Sequence, residues 1–88
     1  MPISSGATAT EATVVWAGDH WAISYMQNRQ IFIVDIPSLG VPGTPRPVSS
    51  ASGNATSPRM VWTGSAYGVT WQDRRAGNWD VYFREVLP

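Results

Sequence analysis

One segment of this chain occurs twice. Val61 to Val86, moved back by 46 positions, lays Val61, Trp62, Gly64 and Arg75 on identical residues at Val15, Trp16, Gly18 and Arg29. Tyr67, Val69, Thr70 and Trp71 fall on residues of like kind, Trp21, Ile23, Ser24 and Tyr25. A self-similar period in the forties, built from short strands, is the signature of a propeller or solenoid array. The repeat therefore speaks to assembly as much as to fold.

Each copy divides into strands in the same order. Ala12 to Ala17 is rich in β-branched residues and ends in Trp16, the composition of a strand. Gly18 and Asp19 supply a turn. Trp21 to Met26 then alternates large apolar with mostly smaller side chains, a two-residue period. Asn28 to Gln30 turn the chain into a third apolar strand, Ile31 to Ile36. Pro37 to Pro47 carries four prolines and two glycines, which a sheet interior excludes because proline lacks the ladder donor. It reads as a loop leading to a short edge strand, Val48 to Ala51. The second copy offers Arg59 to Thr63, Ala66 to Gln72 and Trp79 to Leu87, with a turn before the last that is four residues longer. No stretch reads as a helix.

Three strands and one short outer segment match the four-stranded blade of a β-propeller. The expected fold is all-β, two blades in one 88-residue unit: the first over 12–51, the second over 58–87. The second lacks a fourth strand of its own. Pro2-Ile3-Ser4-Ser5 resembles Pro47-Val48-Ser49-Ser50, so residues 2–5 are expected to complete the second blade of a neighbouring copy. Ile3 and Ser4 would then meet an apolar edge formed by Val81, Tyr82, Phe83 and Val86.

The faces point the same way. Trp21, Ile23 and Tyr25 share one face of their strand, as do Tyr67, Val69 and Trp71, while Ala22, Ser24, Gly68 and Thr70 keep the other faces small. Large faces can nest on the small faces of the next blade, with Trp16, Trp62, Trp21, Tyr67, Tyr25 and Trp71 as core. A lone chain leaves one large face bare. Two aromatics at about 150–250 Å² each already reach the largest apolar patch of a typical monomer. Head-to-tail association closing a ring follows: four, six or eight blades as a dimer, trimer or tetramer. The usual range of blade numbers excludes none of the three.

Gln72-Asp73-Arg74-Arg75-Ala76-Gly77-Asn78-Trp79-Asp80-Val81-Tyr82 resembles the repeat of TolB-type (WD40-like) β-propellers, in which an Asp-Arg-x-Gly-Asn-x-acid-Ile-Tyr turn joins the second and third strands. The turn here is one residue longer between arginine and glycine, unless Arg75 is the matching arginine. Trp-x-Gly-x-x-Tyr-Gly-Val from Trp62 replaces the family's Ser-Pro-Asp-Gly. The first copy keeps Arg29 without the Gly-Asn turn, so the likeness covers about a third of the chain well. It implies a propeller and, by analogy with six-bladed members, the trimer.

Little in the composition suggests catalysis. There is no cysteine and one histidine, His20, which leaves no thiolate metal site, no pair of imidazoles and no expected cofactor. Net charge is zero, with six arginines and no lysine, too little basic charge for nucleic acid. No apolar run approaches the roughly 18–20 residues that insert in a membrane as a helix. Asp19 and His20 resemble a poised base, but adjacent turn residues are expected to point apart, and no Gly-x-Ser-x-Gly nucleophile is present. Asp35 and Glu85 occupy equivalent places. Paired in a crevice they would suggest glycoside hydrolysis, yet both are expected at the solvent rim, where Arg84 offers Glu85 a local partner.

Asp73, Arg74 and Arg75 form the densest charge cluster, read either as a ligand clamp or as hydrogen bonds holding a turn. Trp79 follows the Gly-Asn turn and is expected to stand half exposed. With Asn78, Arg74, Arg75 and Asp73 it forms the candidate binding site, an indole platform for a sugar ring or an aromatic side chain. The expected function is a non-catalytic, lectin-like binding module that assembles with itself and takes carbohydrate or peptide. The alternative is a structural or engineered fragment that assembles without a ligand, and a glycosidase-like enzyme ranks last.

Overall fold

The computed structural model describes residues 9–37, 42–50, 53–74 and 77–88. These form two antiparallel sheets, and no helix occurs among them. The first sheet runs in sequence order through β1 (Ala9–Trp16), β2 (Trp21–Gln27), β3 (Gln30–Ile36) and β4 (Arg46–Pro47). The second contains β5 (Ala55–Trp62), β6 (Tyr67–Asp73) and β7 (Asp80–Val86).

The sequence repeat is a repeat of backbone geometry. Ala9 pairs with Gln27 and Ala55 with Asp73, each partner displaced by the same 46 positions. The ladders break at the same place, between Thr10 and Thr13 and between Thr56 and Arg59. There Glu11 (φ 61°) and Ser57 (φ 56°) take the left-handed conformation of a bulge. This explains why both first strands begin earlier than expected: pairing resumes beyond the bulge, taking polar residues that read as loop into the ladder. Gly18 and Gly64 turn the chain with φ of 89° and 105°, values that residues with a Cβ rarely adopt.

The second and third strands differ in their link. Gln27 pairs with Gln30 across Asn28 (φ 54°) and Arg29 (φ 62°), the two left-handed residues of a type I′ turn. Asp73 pairs with Asp80 across the longer turn. The fourth strand was expected at Val48 to Ala51 and instead lies at Arg46–Pro47, facing Ile33 and Phe32. Pro47 is accommodated because it sits on an edge. Val48 follows outside the strand, its N–H donating to Ile31 O at 2.7 Å. Residues 2–5, and Ile3 and Ser4 with them, lie outside the described residues. Among those described, β7 pairs with β6 alone.

Side chains alternate across each strand, and the alternation builds one shared core. Ala22, Ile31 and Ile33 of the first sheet pack with Met60, Tyr67, Val69 and Trp71 of the second, all buried. Thus the small face of the first sheet receives the large face of the second. Ser24 is admitted to this layer because the Thr13 hydroxyl hydrogen-bonds it. Tyr82 and Val86, expected on an oligomer edge, turn inward and pack on the core, while Val81 (74% exposed) and Phe83 (67%) face outward. Trp16 and Trp21, expected in the core, are 48% and 47% exposed. They lie on the outer face of the first sheet, which no second sheet covers among the described residues, although Tyr25 and Val34 of that face are buried. Tyr25, Tyr67 and Trp71 are buried and Trp62 is half-buried.

Each sheet pairs its aromatics at the same repeat positions. Trp16–Trp21 and Trp62–Tyr67 have centroids 5.0 Å apart. Tyr25 lies nearly parallel to Phe32, and Trp71 to Tyr82. At the bulges, the Glu11 carboxylate accepts the Thr56 hydroxyl at 2.6 Å and the Ser57 N–H at 2.7 Å, tying the two sheets.

Arg29→Gly is expected to raise stability by about 0.5–1 kcal/mol, because glycine adopts the left-handed turn without a Cβ clash. Urea midpoints at neutral pH will check it. The Thr56 and Ser57 bonds hold the Glu11 carboxyl below its ordinary 4.5. The folded state therefore binds this proton less readily than the unfolded chain. The associated stability is present above that value and is lost as pH falls through the lowered one. Glu11→Gln is expected to flatten this part of the acid limb in urea titrations.

Candidate functional site

Two groups of polar side chains stand at opposite ends of the sheets. The first lies at the β6–β7 turn, beside the segment leading into β5. Asp73 is fully buried, and its Oδ1 accepts the Asn54 N–H at 3.0 Å. The Arg74 N–H donates to Asn54 O at 3.4 Å, and the Gly77 N–H to Arg74 O at 2.9 Å. Asp73 is therefore an anchor of the turn and is not presented to a ligand. Its burial reflects the strand alternation that turns Tyr67, Val69, Trp71 and Asp73 to one side.

What remains open at this end is Trp79, 51% exposed, with the Arg74 guanidinium carbon 5.4 Å from its ring centre. That is a cation–π distance, and it covers one face of the indole. Asn78 is exposed beside it. Arg75 lies outside the described residues. The structure thus brings Arg74, Asn78 and Trp79 to one surface.

The second group joins the sheets at the other end. His20 Nδ1 is 2.6 Å from Asp19 Oδ1, and its Nε2 is 2.6 Å from the Tyr67 hydroxyl. Tyr67 donates to Asp35 Oδ1 at 2.7 Å. Arg46 donates to Asp35 Oδ2 at 2.9 Å and to Leu87 O at 2.7 Å. A hydroxyl has one hydrogen, so with that hydrogen on Asp35, His20 Nε2 is the donor to Tyr67. An open cleft of about 410 Å³ lies alongside, lined by Asp19, His20, Asp35, Pro37 and Pro88.

Three expectations are corrected here. Asp19 and His20 do not point apart; the turn lets the carboxylate fold back onto its neighbour's ring. Asp35 is not at a solvent rim, because its place opposite Ala22 in the register turns it towards the second sheet. Nor is Arg84 a partner of Glu85. Adjacent strand residues face opposite ways, and Arg84 donates across the joint to Val48 O at 3.0 Å. Glu85, opposite Gly68, lies on the outer face of the second sheet. Asp35 and Glu85 are therefore not brought into one crevice.

The Asp19–His20–Tyr67–Asp35–Arg46 strap is the group that sequence reading missed. One signal was available: a buried tyrosine needs a partner for its hydroxyl, and Tyr67 stands where the first copy has Trp21. Burial first, then the hydrogen bond to Asp35, pushes the Tyr67 phenol well above its ordinary 10.0. It stays protonated at neutral pH and acts as a hydrogen-bonding post. Both Asp35 oxygens are already engaged, one by Tyr67 and one by Arg46. Chemically the arrangement holds two sheets together.

Compared with known proteins, the chain matches no protein-family model, no curated protein and no solved structure.

Tyr67→Phe is expected to lower stability by about 1–3 kcal/mol, the range for a buried hydroxyl bonded to a charged group. The raised phenol gives a second signature. The unfolded chain releases this proton near its ordinary 10.0 while the folded chain keeps it. Stability is therefore present below that pH and lost as pH rises further. Denaturant titrations between about pH 8 and 11 should show this alkaline loss in the wild type and less of it in Tyr67→Phe.

Proposed function

We propose that this chain is a non-catalytic subunit of a β-propeller ring, two blades per copy, closed head-to-tail by copies of itself. One observation carries the reading. The two sheets bear the same aromatic face, buried in the second against the small face of the first, while in the first Tyr25 is buried and the Trp16–Trp21 pair stands about half exposed. A joint made once inside the chain is thus left half-built at both outer surfaces. The close approach of β1 to β5 agrees with blades set side by side with their first strands towards an axis. The likeness of Gln72–Tyr82 to TolB-type repeats favours six blades, hence three copies. Residues 2–5, similar to Pro47–Ser50, would pair with the outer edge of β7 in the neighbouring copy, which among the described residues pairs with β6 alone.

The ligand-facing part of the proposal is the turn end. Trp79 offers an open indole face, with Arg74 and Asn78 beside it to orient a sugar or a peptide aromatic group. A second reading, assembly with no ligand, is favoured by Arg74 itself. It already occupies one face of the ring, and Asp73 is spent on holding the turn.

Size exclusion with light scattering is expected to give three times the 9.6 kDa chain mass. A 9.6 kDa species at every concentration would overturn the assembly. For the ligand, a glycan array should show binding that Trp79→Ala removes, with the assembly intact. Binding indifferent to that substitution would sink the Trp79 site, and an array without binders would favour the ligand-free reading.

A further inference from the structure

The joint inside the chain sets out the contacts that a joint between chains would make. Within the chain, Tyr67 and Ala22 are both fully buried in one cluster. The Tyr67 hydroxyl reaches the Asp35 carboxylate at 2.7 Å, and Asp35 is the residue opposite Ala22 in the register. A buried aromatic residue thus shares a cluster with a small residue and donates to the acid opposite that residue.

The outer faces carry the same three positions. Trp21 stands where Tyr67 does in the repeat, paired with Trp16 as Tyr67 is with Trp62. Gly68 stands where Ala22 does, and Glu85 opposite it where Asp35 does. The geometry points to docking between two copies of this chain, with Trp21 of one copy seated on Gly68 of the next and its indole N–H donating to the Glu85 carboxylate. This inference rests on the assembly reading above and adds the register of the contact.

The sizes compensate. The outer ring is larger than the inner one, tryptophan against tyrosine, and the outer floor is smaller, glycine against alanine. A Cβ at Gly68 would lie 3.3 Å from Phe83 Cε1 and 3.4 Å from Val61 Cγ2. Gly68 itself is buried beneath these two side chains, which are exposed on their outer sides, so Val61 and Phe83 must part for the ring to seat and would then flank it. The polar chemistry is conserved in kind: an indole N–H only donates and a carboxylate only accepts, so the bond has one direction. The strap is not reproduced, since Ser65 and Ala66 stand where Asp19 and His20 do. The joint between copies therefore has one polar bond where the inner joint has several, and it should separate on dilution before the two sheets do.

Light scattering across a dilution series of wild type, Trp21→Tyr, Gly68→Ala and the double variant tests this. Trp21→Tyr leaves a void and Gly68→Ala a crowded floor; together they rebuild the tyrosine-on-alanine pair of the inner joint. Each single change should weaken association about tenfold or more, and the double variant should return to within about threefold of wild type. Trp21 and Gly68 lie on opposite outer faces of one chain, so such coupling requires two copies. Trp21→Phe with Glu85→Ala forms a second cycle, alanine replacing Glu85→Gln because the amide oxygen still accepts the indole N–H. The combined loss should be no greater than that of Trp21→Phe alone, and this cycle decides the matter if circular dichroism shows that Gly68→Ala does not fold. If wild type assembles but the losses in both cycles simply add, the Trp21–Gly68–Glu85 register is overturned and the assembly stands. If wild type remains a single chain throughout, both fall.

Discussion

A large aromatic face lying on a face of small residues is the interaction that the rest of the structure depends on. Neither sheet owns a core. The buried cluster is made of Ala22, Ile31 and Ile33 from one sheet and Met60, Tyr67, Val69 and Trp71 from the other, and an isolated few-stranded sheet is marginal in water. Ala22 and Ser24 are small so that the rings of the second sheet can approach. Burying Tyr67 then imposes a further requirement, because its hydroxyl must keep a partner. Asp35 and His20 meet that need, and Arg46 and Asp19 in turn meet theirs. The polar strap follows from the apolar packing.

That order of causes also separates the two ends of the molecule chemically. The strap has the residue types of an acid–base site, yet each group faces another and Asp35 is engaged on both oxygens. At the opposite end, the longer turn between β6 and β7 keeps its aspartate inside and its tryptophan outside. The inward group holds the loop, and the outward group is left to meet whatever comes from solution. Side-chain direction, more than residue type, divides structural from presentable chemistry here.

Much of this was legible in the sequence. The repeat offset, the alternation along Trp21–Met26 and Tyr67–Gln72, and the glycine turns predict seven strands' worth of architecture and the nesting of large on small. What escaped has identifiable physical causes. The bulges at Glu11 and Ser57 carry no glycine, so the ladder beyond them looked like loop. The fourth strand sits on prolines, which only an edge tolerates. Trp16 and Trp21 were read as core because composition cannot say which of two equivalent faces is covered. The strap depends on Asp19, His20, Asp35, Arg46 and Tyr67 converging from separate segments, and no spacing along the chain encodes that convergence. Trp79, half exposed after a Gly-Asn turn, was readable because its position follows from local turn geometry.

The joint between the sheets is pinned at both extremities. The Glu11 carboxylate fastens the bulges at one end and the His20–Tyr67–Asp35 contacts fasten the other, with the buried apolar cluster between. A slide of one sheet along the other would break both fastenings at once, as would opening the pair like a hinge. The relation of one sheet to the other is thereby fixed at two separated points. In any closed circle of such units, that relation would set how many members fit before two chains ever meet.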